Sequence, residues 1–275
     1  MPIKNKLGTC YICATPIGNL SDSSERLIST LQNVEIIAAE DTRVSQILCK
    51  HFSINTPRIR LDSYSEQKQS NTLINILKEG KDIAVISDAG TPTLSDPGHH
   101  LISLLKKEGI KICPIPGPSA ITTLLSASGF SGNCFHFEGF FPRNENEAIK
   151  TCHHYETRNH PCIFFESPKR ILKTLKWLNK HYEKAQCTIG KELTKKFENI
   201  IYGSPQDCLE QLLDTPIKGE WTLAILFPKR EHSINIDFLK HCKTLNLSQK
   251  DIITLTTKLG WKKNDVYEQL LQIKQ

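Results

Sequence analysis

The first 120 residues repeat one unit: a short apolar segment, then a loop of turn-forming and polar residues, then an amphipathic segment. Short β-branched apolar runs predict buried strands, and amphipathic runs predict helices. Strands that alternate with helices are typical of a parallel sheet covered by helices, so the sequence predicts an α/β fold. The predicted strands are Thr9–Ala14, Val34–Ala39, Ile83–Ile86 and Lys111–Ile115, with a weaker one at Ile59–Asp62.

One loop, Ser87–Gly98 with the sequence S-D-A-G-T-P-T-L-S-D-P-G, follows the strand Ile83–Ile86 and precedes a helix predicted over His99–Lys107. Ligands of open α/β sheets bind at the carboxyl ends of the strands. Glycines and prolines fix an irregular backbone in this loop, and Asp88 and Asp96 add carboxylates. We interpret it as a binding loop. The alternative is a series of well-capped turns.

The loops of this half lack the phosphate-binding patterns G-x-G-x-x-G and G-x-x-x-x-G-K-[ST]. A pyrophosphate site needs free backbone N–H groups at a helix start, often with a lysine. These loops offer prolines, carboxylates and carbonyls instead. They favour a ligand with ribose hydroxyls, an adenine and a positive centre, because Asp88 or Glu40 can accept hydroxyl hydrogens.

The composition changes after Gly129 to the aromatic stretch F-S-G-N-C-F-H-F-E-G-F-F-P-R-N, and a second α/β unit with a more antiparallel pattern follows. Its predicted strands are Cys162–Phe165, Gln186–Gly190 and Trp221–Phe227, with one helix ending near His181 and another over Pro205–Leu213. The sequence therefore predicts an N-terminal α/β domain (1–120), a C-terminal α/β domain (121–229) and a small helical domain (230–275).

The last segment, from about Ile236, predicts only helices. Ser248 and Asp251 have the spacing of a capping box, and Asn264 is predicted to cap the next helix. The two helices, joined across 260–263, resemble a helix-turn-helix, which leaves nucleic-acid binding, dimerisation and packing all open. The positions predicted to be buried are Ile252, Ile253, Leu255, Leu259, Val266, Tyr267, Leu270 and Leu271.

The charge of this segment is its other distinguishing property. From Lys229 to Gln275 there are nine Lys/Arg and five Asp/Glu, a surplus of 9 − 5 = 4 within a net charge of +6. Such an excess is compatible with a polyanionic partner and also with an ordinary protein surface.

The ten cysteines are predicted to be reduced thiols in a cytoplasmic protein. The start of the chain, M-P-I-K-N-K-L, does not resemble a signal peptide, and no apolar run approaches the ~20 residues that span a bilayer. Cys10 and Cys13 form a C-x-x-C, but residues three apart on a strand face opposite sides, which favours core packing over metal or redox chemistry. Cys152-His153-His154 is interpreted as part of a surface helix or loop, and no metal site is predicted.

The loop motifs, taken together, are more specific than any one of them. In order they read A-T-P-I-G-N-L-S-D, A-A-E-D-T-R, S-D-A-G-T-P-T-L-S-D-P-G, P-I-P-G-P-S-A, F-E-G-F-F-P-R, F-E-S-P-K-R and G-K-E-L-T-K. This series closely resembles the cytidine 2′-O-methyltransferases of small-subunit ribosomal RNA, within the tetrapyrrole methylase superfamily. The resemblance covers about residues 8–227, and the C-terminal helices are similar too. The sequence departs from the family pattern at Phe165, Lys169 and His99-His100, and these differences affect only the expected details of substrate binding.

The resemblance implies two α/β domains with S-adenosylmethionine in the cleft between them, and a homodimer. It implies methyl transfer to the ribose 2′-hydroxyl of a cytidine in the decoding region of 16S rRNA, within the 30S subunit. The implied cofactor residues are Pro16, Asp88, Ala89, Gly90, Thr91, Leu94, Ser119, Ala120, Trp221 and Thr222. Positive charges predicted to contact RNA are Arg43, Arg143, Lys169 and Arg170.

A ribose hydroxyl is a poor nucleophile, so a base or a cation that stabilises the alkoxide should assist. Glu40, Lys191 and Glu192 are the predicted catalytic residues. Asp41, Arg43 and Lys195 are further candidates in the same loops. The alternative is that these residues form structural ion pairs across the cleft. Two other functions stay open: methylation of a small tetrapyrrole or corrin on the same fold, and RNA binding without catalysis.

Overall fold

The computed structural model describes residues 6–130, 134–156, 158, 160–213, 215–228, 236–259, 261 and 263–273. Two five-stranded sheets and a separate group of C-terminal helices account for these residues. Within the described ranges every helix is too short or too polar to traverse a bilayer.

The first sheet is parallel throughout, as the sequence predicts. Its strands are β1 (Thr9–Cys13), β2 (Ile36–Ala39), β3 (Arg58–Arg60), β4 (Ile83–Ile86) and β5 (Lys111–Ile115), in the order β3-β2-β4-β1-β5. Its helices are α1 (Glu25–Asn33), α2 (Thr42–His51), α3 (Glu66–Lys78) and α4 (His99–Lys107), with a 3-10 turn at Leu20–Asp22. The weak strand ends earlier than predicted because the Asp62 carboxylate accepts hydrogen bonds from the amides of Tyr64 and Ser65, which forms a turn.

The second sheet is mostly antiparallel; only its first two strands pair in parallel. Its strands are β6 (His136–Phe140), β7 (Cys162–Glu166), β8 (Gln186–Lys191), β9 (Asn199–Gly203) and β10 (Trp221–Leu226), in the order β6-β7-β10-β8-β9. Its helices are α6 (Glu145–Glu156), α7 (Ile171–His181) and α8 (Pro205–Gln211). The sequence did not predict β6, α6 or β9. Strand β6 is interrupted by a register shift and by Gly139, whose φ is +74°, so its alternation is broken. Cys152–His154, interpreted from the sequence as a surface helix or loop, belongs to α6, and its Cys152 is buried in the core.

Helix α5 (Ala120–Ala127) connects the two halves of the chain. Its Ile121 and Leu124 pack against Ile163 of β7 and Ala224 of β10, on the face of the second sheet opposite to α7 and α8. Burial of these side chains fixes the second sheet against the loops of the first. This packing supports the predicted domain boundary at residue 120, which stays a prediction.

The cysteines are free thiols in the structure. Cys10 and Cys13 are both fully buried, and they belong to core clusters on opposite faces of the first sheet. Burial raises the pKa of the Cys13 thiol to about 12, with a further contribution from Cys113. The predicted core role of the C-x-x-C pair is therefore confirmed: the two sulfur atoms face away from each other and are protonated at neutral pH.

The C-terminal helices are α9 (Ile236–Thr244), α10 (Gln249–Lys258) and α11 (Lys263–Gln272). They bury Leu239, Cys242, Ile252, Val266 and Leu270 against one another. Ser248 caps α10 as predicted, because its hydroxyl accepts from the Asp251 amide at 3.2 Å.

Other predictions for this segment were wrong. Leu255, Leu259, Tyr267 and Leu271 are 41–49% exposed, since each helix turns only a narrow stripe toward this small core. Asn264 lies inside the first turn of α11 rather than before it. Gly260 and Lys262, in the predicted helix-turn-helix connection, lie outside the described residues.

Candidate active site between the two sheets

A cavity of about 410 Å³ lies where the carboxyl edge of the first sheet faces the end of the second. We call it the first cavity. Loops after β1, β4 and β5 form one wall, and residues of β6, β7, β10 and the turns beside them form the other. The predicted cofactor residues on its wall are Ala89, Gly90, Thr91, Leu94, Ser119, Ala120, Trp221 and Thr222. The fold thus brings together residues that are more than 130 positions apart in the chain.

The charge of this wall is one-sided. Asp96, Glu166 and Glu220 line it, and no basic side chain does among the residues that the structure describes. Glu166 is fully buried and already paired: its carboxylate accepts from Thr174 Oγ1 at 2.6 Å and from the Ser167 amide at 2.8 Å, and it lies 3.4 Å from the Arg170 guanidinium behind the wall. A wall of carboxylates and apolar surface fits a cationic adenosine ligand such as S-adenosylmethionine and disfavours a phosphate group.

The loop 87–98 is held in place by backbone hydrogen bonds rather than by regular structure. Gly90 exchanges two of them with Thr15, at 2.9 and 3.0 Å, which ties the loop to the segment after β1. Thr93 and Ser95 adopt the left-handed conformation, with φ of 72° and 68°. Non-glycine residues hold such conformations only where the surroundings over-determine them, often at ligand sites.

The far end of the same loop is fixed by a buried acid. Glu66 of α3 accepts hydrogen bonds from the amides of His100 and Leu101, at 2.9 and 3.1 Å, and so caps the start of α4. A carboxylate at a helix N-terminus also interacts favourably with the helix dipole. The His99-His100 departure from the family pattern is therefore accommodated by a backbone contact that does not depend on those side chains.

A second cavity of about 350 Å³ adjoins the first. Ile17, Ala89 and Glu220 line both, so they form the junction. The two remaining predicted cofactor residues, Pro16 and Asp88, lie on the wall of the second cavity. Their contact with the cofactor stays a prediction. Apolar side chains of α2, including the exposed Val44 and Ile47, form its outer wall.

Lys195 is the one basic side chain on the wall of the second cavity among the described residues. Its ammonium group donates to Glu192 at 2.9 Å and to Glu220 at 3.0 Å. Burial opposes its charge, but the bonds to Glu192 and Glu220 outweigh this and raise the pKa of Lys195. Lys195 is therefore a cation at neutral pH, suited to stabilise negative charge and unsuited to accept a proton.

Two glycines leave space for the ion pairs of Lys195 with Glu192 and Glu220. A Cβ on Gly18 would lie 2.2 Å from Lys195 Cγ, and a Cβ on Gly219 would lie 2.4 Å from the Glu192 carboxyl carbon. Glu192 also accepts from the Glu220 amide at 2.9 Å. Burial acts to raise the pKa of Glu192, but the bonds from Lys195 and the Glu220 amide leave it below the usual value, so the carboxylate stays charged.

The three predicted catalytic residues contact residues of the cavity walls but do not line the cavities themselves. Glu40 accepts from the Asp88 amide at 3.3 Å, and Lys191 is buried with its Nζ 5.7 Å from the centre of the Trp221 ring. Glu192 holds Lys195. None of the three lines either cavity, so their contact with substrate stays a prediction, and Lys195 is better placed for it.

Three carboxyl groups crowd the edge of the first sheet near the junction. Burial raises the pKa of Asp88, with a contribution from the charge of Asp41. Burial likewise raises the pKa values of Glu40 and Asp96, and the charge of Asp88 adds to both. The ionised forms of all three therefore destabilise the folded protein, which is the expected state of a site prepared for a cation.

Replacement of Asp88 by asparagine should stabilise the protein without ligand at pH 7. A carboxylate with a raised folded-state pKa contributes stability below its unfolded pKa and loses it as pH rises through the folded pKa. The neutral amide avoids that loss and still accepts from the Asp41 amide, which Asp88 binds at 3.0 Å. We expect a gain of at most about 1 kcal/mol because solvent screens this half-open site. Denaturation at pH 7 and at ~4 should show the gain at the higher pH alone.

Asp207 is the matched control, since hydrogen bonds from the Ser204 side chain and amide lower its pKa. Asp207→Asn should lose stability at pH 7, the opposite sign. If both substitutions changed the stability at pH 7 by the same amount, the ionised Asp88 carboxylate would not be destabilising.

The four basic residues predicted to contact RNA differ in their exposure and in the partners that they already have. Arg143 and Lys169 are exposed. Arg43 is also exposed, but its guanidinium is paired with Asp41 at 2.6 Å. Arg170 donates to the carbonyls of Phe141 and Pro142, at 2.6 and 3.1 Å. Its hydrogen bonds are therefore used to hold the loop after β6, whereas its role toward RNA stays a prediction.

Sequence reasoning missed Glu220 and the α2 wall. Glu220 stands beside Gly219 immediately before β10, and a carboxylate next to a glycine at a strand start is the signal that could have identified it. Val44 and Ile47 are apolar residues on the exposed face of a helix, which a helical projection would have shown.

The family model for Tetrapyrrole (Corrin/Porphyrin) Methylases matches residues 9–207, so the chain is a methyltransferase of the tetrapyrrole methylase class. A solved uroporphyrin-III C-methyl transferase from Thermus thermophilus, complexed with S-adenyl homocysteine, has the same fold with a TM-score of 0.54; the match covers 79% of this chain and 96% of that one, at 11% identity.

Two curated relatives are closer in sequence. The ribosomal RNA small subunit methyltransferase I of Pasteurella multocida is 36% identical, over 97% of this chain and 98% of its own. That of Buchnera aphidicola subsp. Schizaphis graminum is 38% identical, over 98% of each. The chain belongs to the ribosomal RNA small subunit methyltransferase I family.

Proposed function

We propose that this enzyme transfers a methyl group from S-adenosylmethionine to the ribose 2′-hydroxyl of a cytidine in the decoding region of 16S rRNA. The observation that carries the proposal is the pair of joined cavities: one is acidic and is lined by no basic side chain of the described part of the chain, and the other has Lys195 on its wall. The first suits the cationic cofactor and the second suits a nucleotide. Their junction at Ala89 and Glu220 is where the transfer takes place.

The residues of the first cavity bind and orient the cofactor. The loop 89–91 and the start of α5 at Ser119 and Ala120 offer backbone groups, and Trp221 and Thr222 close the opposite wall. Bound S-adenosylmethionine supplies a methyl group that is already activated by its sulfonium. Asp88 stabilises that positive charge near the junction, and the residues around it exclude water.

Lys195 stabilises the negative charge that develops on the ribose oxygen as its proton leaves. Glu192 is a positioning residue: it fixes the ammonium group and the Glu220 amide together. Asp88 lies on the wall of the second cavity, and burial raises the pKa of its carboxylate, which suits it to accept the proton of the hydroxyl. Glu40 supports it from behind through the Asp88 amide.

The partner of this site is an RNA, and we propose the 30S subunit as its assembled form. Arg43, Arg143 and Lys169 are then the exposed cations for phosphate contacts, and the C-terminal helices extend the positive surface. We further propose a homodimer in the cytoplasm, as the family resemblance implies.

Removal of residues 236–275 should weaken RNA binding roughly tenfold, as expected for the loss of a few phosphate contacts. The remaining protein should fold, because among the described residues none beyond Phe227 belongs to the core clusters around the two sheets. Binding of S-adenosylmethionine measured by calorimetry should stay unchanged and serves as the control for folding. Unchanged RNA affinity in the truncated protein would assign these helices another role.

The function is tested with S-adenosylmethionine carrying a tritiated methyl group. We expect label in 30S particles from a strain that lacks the modification, located by nuclease mapping on a 2′-O-methylated cytidine. Naked 16S rRNA and a tetrapyrrole are offered in parallel. Label in the tetrapyrrole alone, or binding of RNA without transfer, would overturn the proposal.

A further inference from the structure

The loop between β8 and β9 presents an aromatic ring to solvent beside the second cavity. The hydrogen bond from the Glu198 amide to the Lys195 carbonyl, at 3.0 Å, closes a turn with Lys196 and Phe197 at its tip. Phe197 is 69% exposed, more than any other phenylalanine that the structure describes. Phe197 follows Lys195, which lines the second cavity, by two residues along the chain.

This turn is rigid. Glu192 and Thr194 are held in the left-handed conformation, with φ of 50° and 66°. The Thr194 amide donates to the Glu198 carboxylate, and the Thr194 hydroxyl accepts from the Asn19 amide of the first half of the chain at 3.2 Å. Leu193 is buried beneath the turn. Strain held by so many contacts is typical of functional loops, and here it fixes the place of an exposed ring.

A single exposed apolar side chain is common and explains nothing by itself. The ring of Phe197 differs in its neighbours. Lys195 lies before it at the cavity, and the Lys196 ammonium lies 5.6 Å from the ring centre. Exposed aromatic rings beside lysines are the elements with which proteins bind single-stranded nucleic acid, the ring stacking on a base and the lysines meeting phosphates.

The acceptor reaction supplies a reason for such a ring. A cavity of about 350 Å³ admits one nucleotide and not a stacked strand, so the nucleotide that enters must leave its neighbours. The base next to it then loses a stacking partner. A ring at the entrance replaces that partner and offsets part of the cost of unstacking.

We infer that Phe197 is a stacking platform for the nucleobase that flanks the methylated nucleotide, with Lys196 on the adjoining phosphate. This inference rests on the proposed RNA methylation and names a substrate-positioning residue for it. Phe197 contacts the acceptor strand alone, so binding of S-adenosylmethionine does not depend on it.

The test compares Phe197→Ala, Phe197→Leu and Phe197→Trp in steady-state methylation of unmodified 30S particles. The alanine and leucine variants should raise KM for the particles about tenfold, within the range for loss of one base-stacking contact, and tryptophan should restore it. Values of kcat should change less than about twofold, because chemistry at Lys195 is untouched. The Kd for S-adenosylmethionine should equal that of the parent.

Tyr202→Ala is the matched control, because Tyr202 is 48% exposed on β9 and pairs with Thr188, away from the Asn199 end of the strand that adjoins the turn. It should leave KM unchanged. A leucine variant that matches the parent would show that apolar bulk suffices and would overturn stacking, as would an unchanged alanine variant. If the parent protein itself methylates no RNA, the proposed function fails; if it does and Phe197→Ala equals it, only this inference fails.

Discussion

Replacement of Lys195 by alanine should lower methyl transfer to RNA by ~10²–10³-fold, the usual effect of removing one preorganised group that stabilises developing negative charge. The side chain lies on the wall of the second cavity and keeps its positive charge through Glu192 and Glu220. The effect should fall on kcat, measured in single turnovers with tritiated cofactor on 30S particles. Calorimetry should show S-adenosylmethionine bound as in the parent, since the wall of the first cavity is intact.

Two further substitutions decide what Lys195 does. Arginine cannot accept a proton at neutral pH but keeps the charge, so Lys195→Arg should recover activity to within about tenfold of the parent. Lys184→Ala removes an exposed lysine from the turn before β8, at the other end of the strand from the cavity, and should have no effect. An arginine variant as inactive as the alanine variant would contradict an electrostatic role and point to proton transfer by the amine.

Much of the first half of the fold could be predicted from the sequence because its central strands are buried. Such strands are nearly continuous apolar runs, and Ile83–Ile86, in which every residue is buried, has the predicted bounds. The edge strand Lys111–Ile115 is partly exposed but also has the predicted bounds. The loop 87–98 was recognisable for a related reason: its glycines and prolines mark where regular structure ends and its carboxylates mark the ligand edge.

The second half was harder to predict at its edges: the central strands β7, β8 and β10 are buried and were predicted, whereas the edge strands β6 and β9 are half-buried and were not. Strand β6 has no clean alternation, and α6 is mostly polar with only three buried residues. The site assignments were limited in another way. Lys191 and Lys195 share one loop and one charge, and only the direction of each side chain shows that the former is buried beside Trp221 while the latter reaches the cavity. The sequence therefore identifies the segment that carries the functional lysine, but only the tertiary contacts show which of its lysines reaches the cavity.

Replacement of Gly90 by alanine should cost both stability and cofactor affinity. Gly90 has a φ of +81°, where an alanine is strained by roughly 1–2 kcal/mol. Its added Cβ would also lie 3.4 Å from Ile17 Cγ2 at the junction of the cavities. If the loop relaxes to relieve the strain, binding must restore the original shape, and the same energy corresponds to a roughly 5- to 30-fold rise in the Kd for S-adenosylmethionine.

The substitution Gly109→Ala is the control that separates the loss of stability from the loss of cofactor affinity. It lies in the turn between α4 and β5 with a φ of +66°, and an added Cβ would meet nothing within 4 Å. Gly109→Ala therefore imposes similar backbone strain far from either cavity. Denaturation should show comparable losses of stability in the two variants, whereas calorimetry should show weaker cofactor binding for Gly90→Ala alone. Equal affinities in both variants would mean that the loop 87–98 does not hold the cofactor, and the assignment of the first cavity would then fail with it.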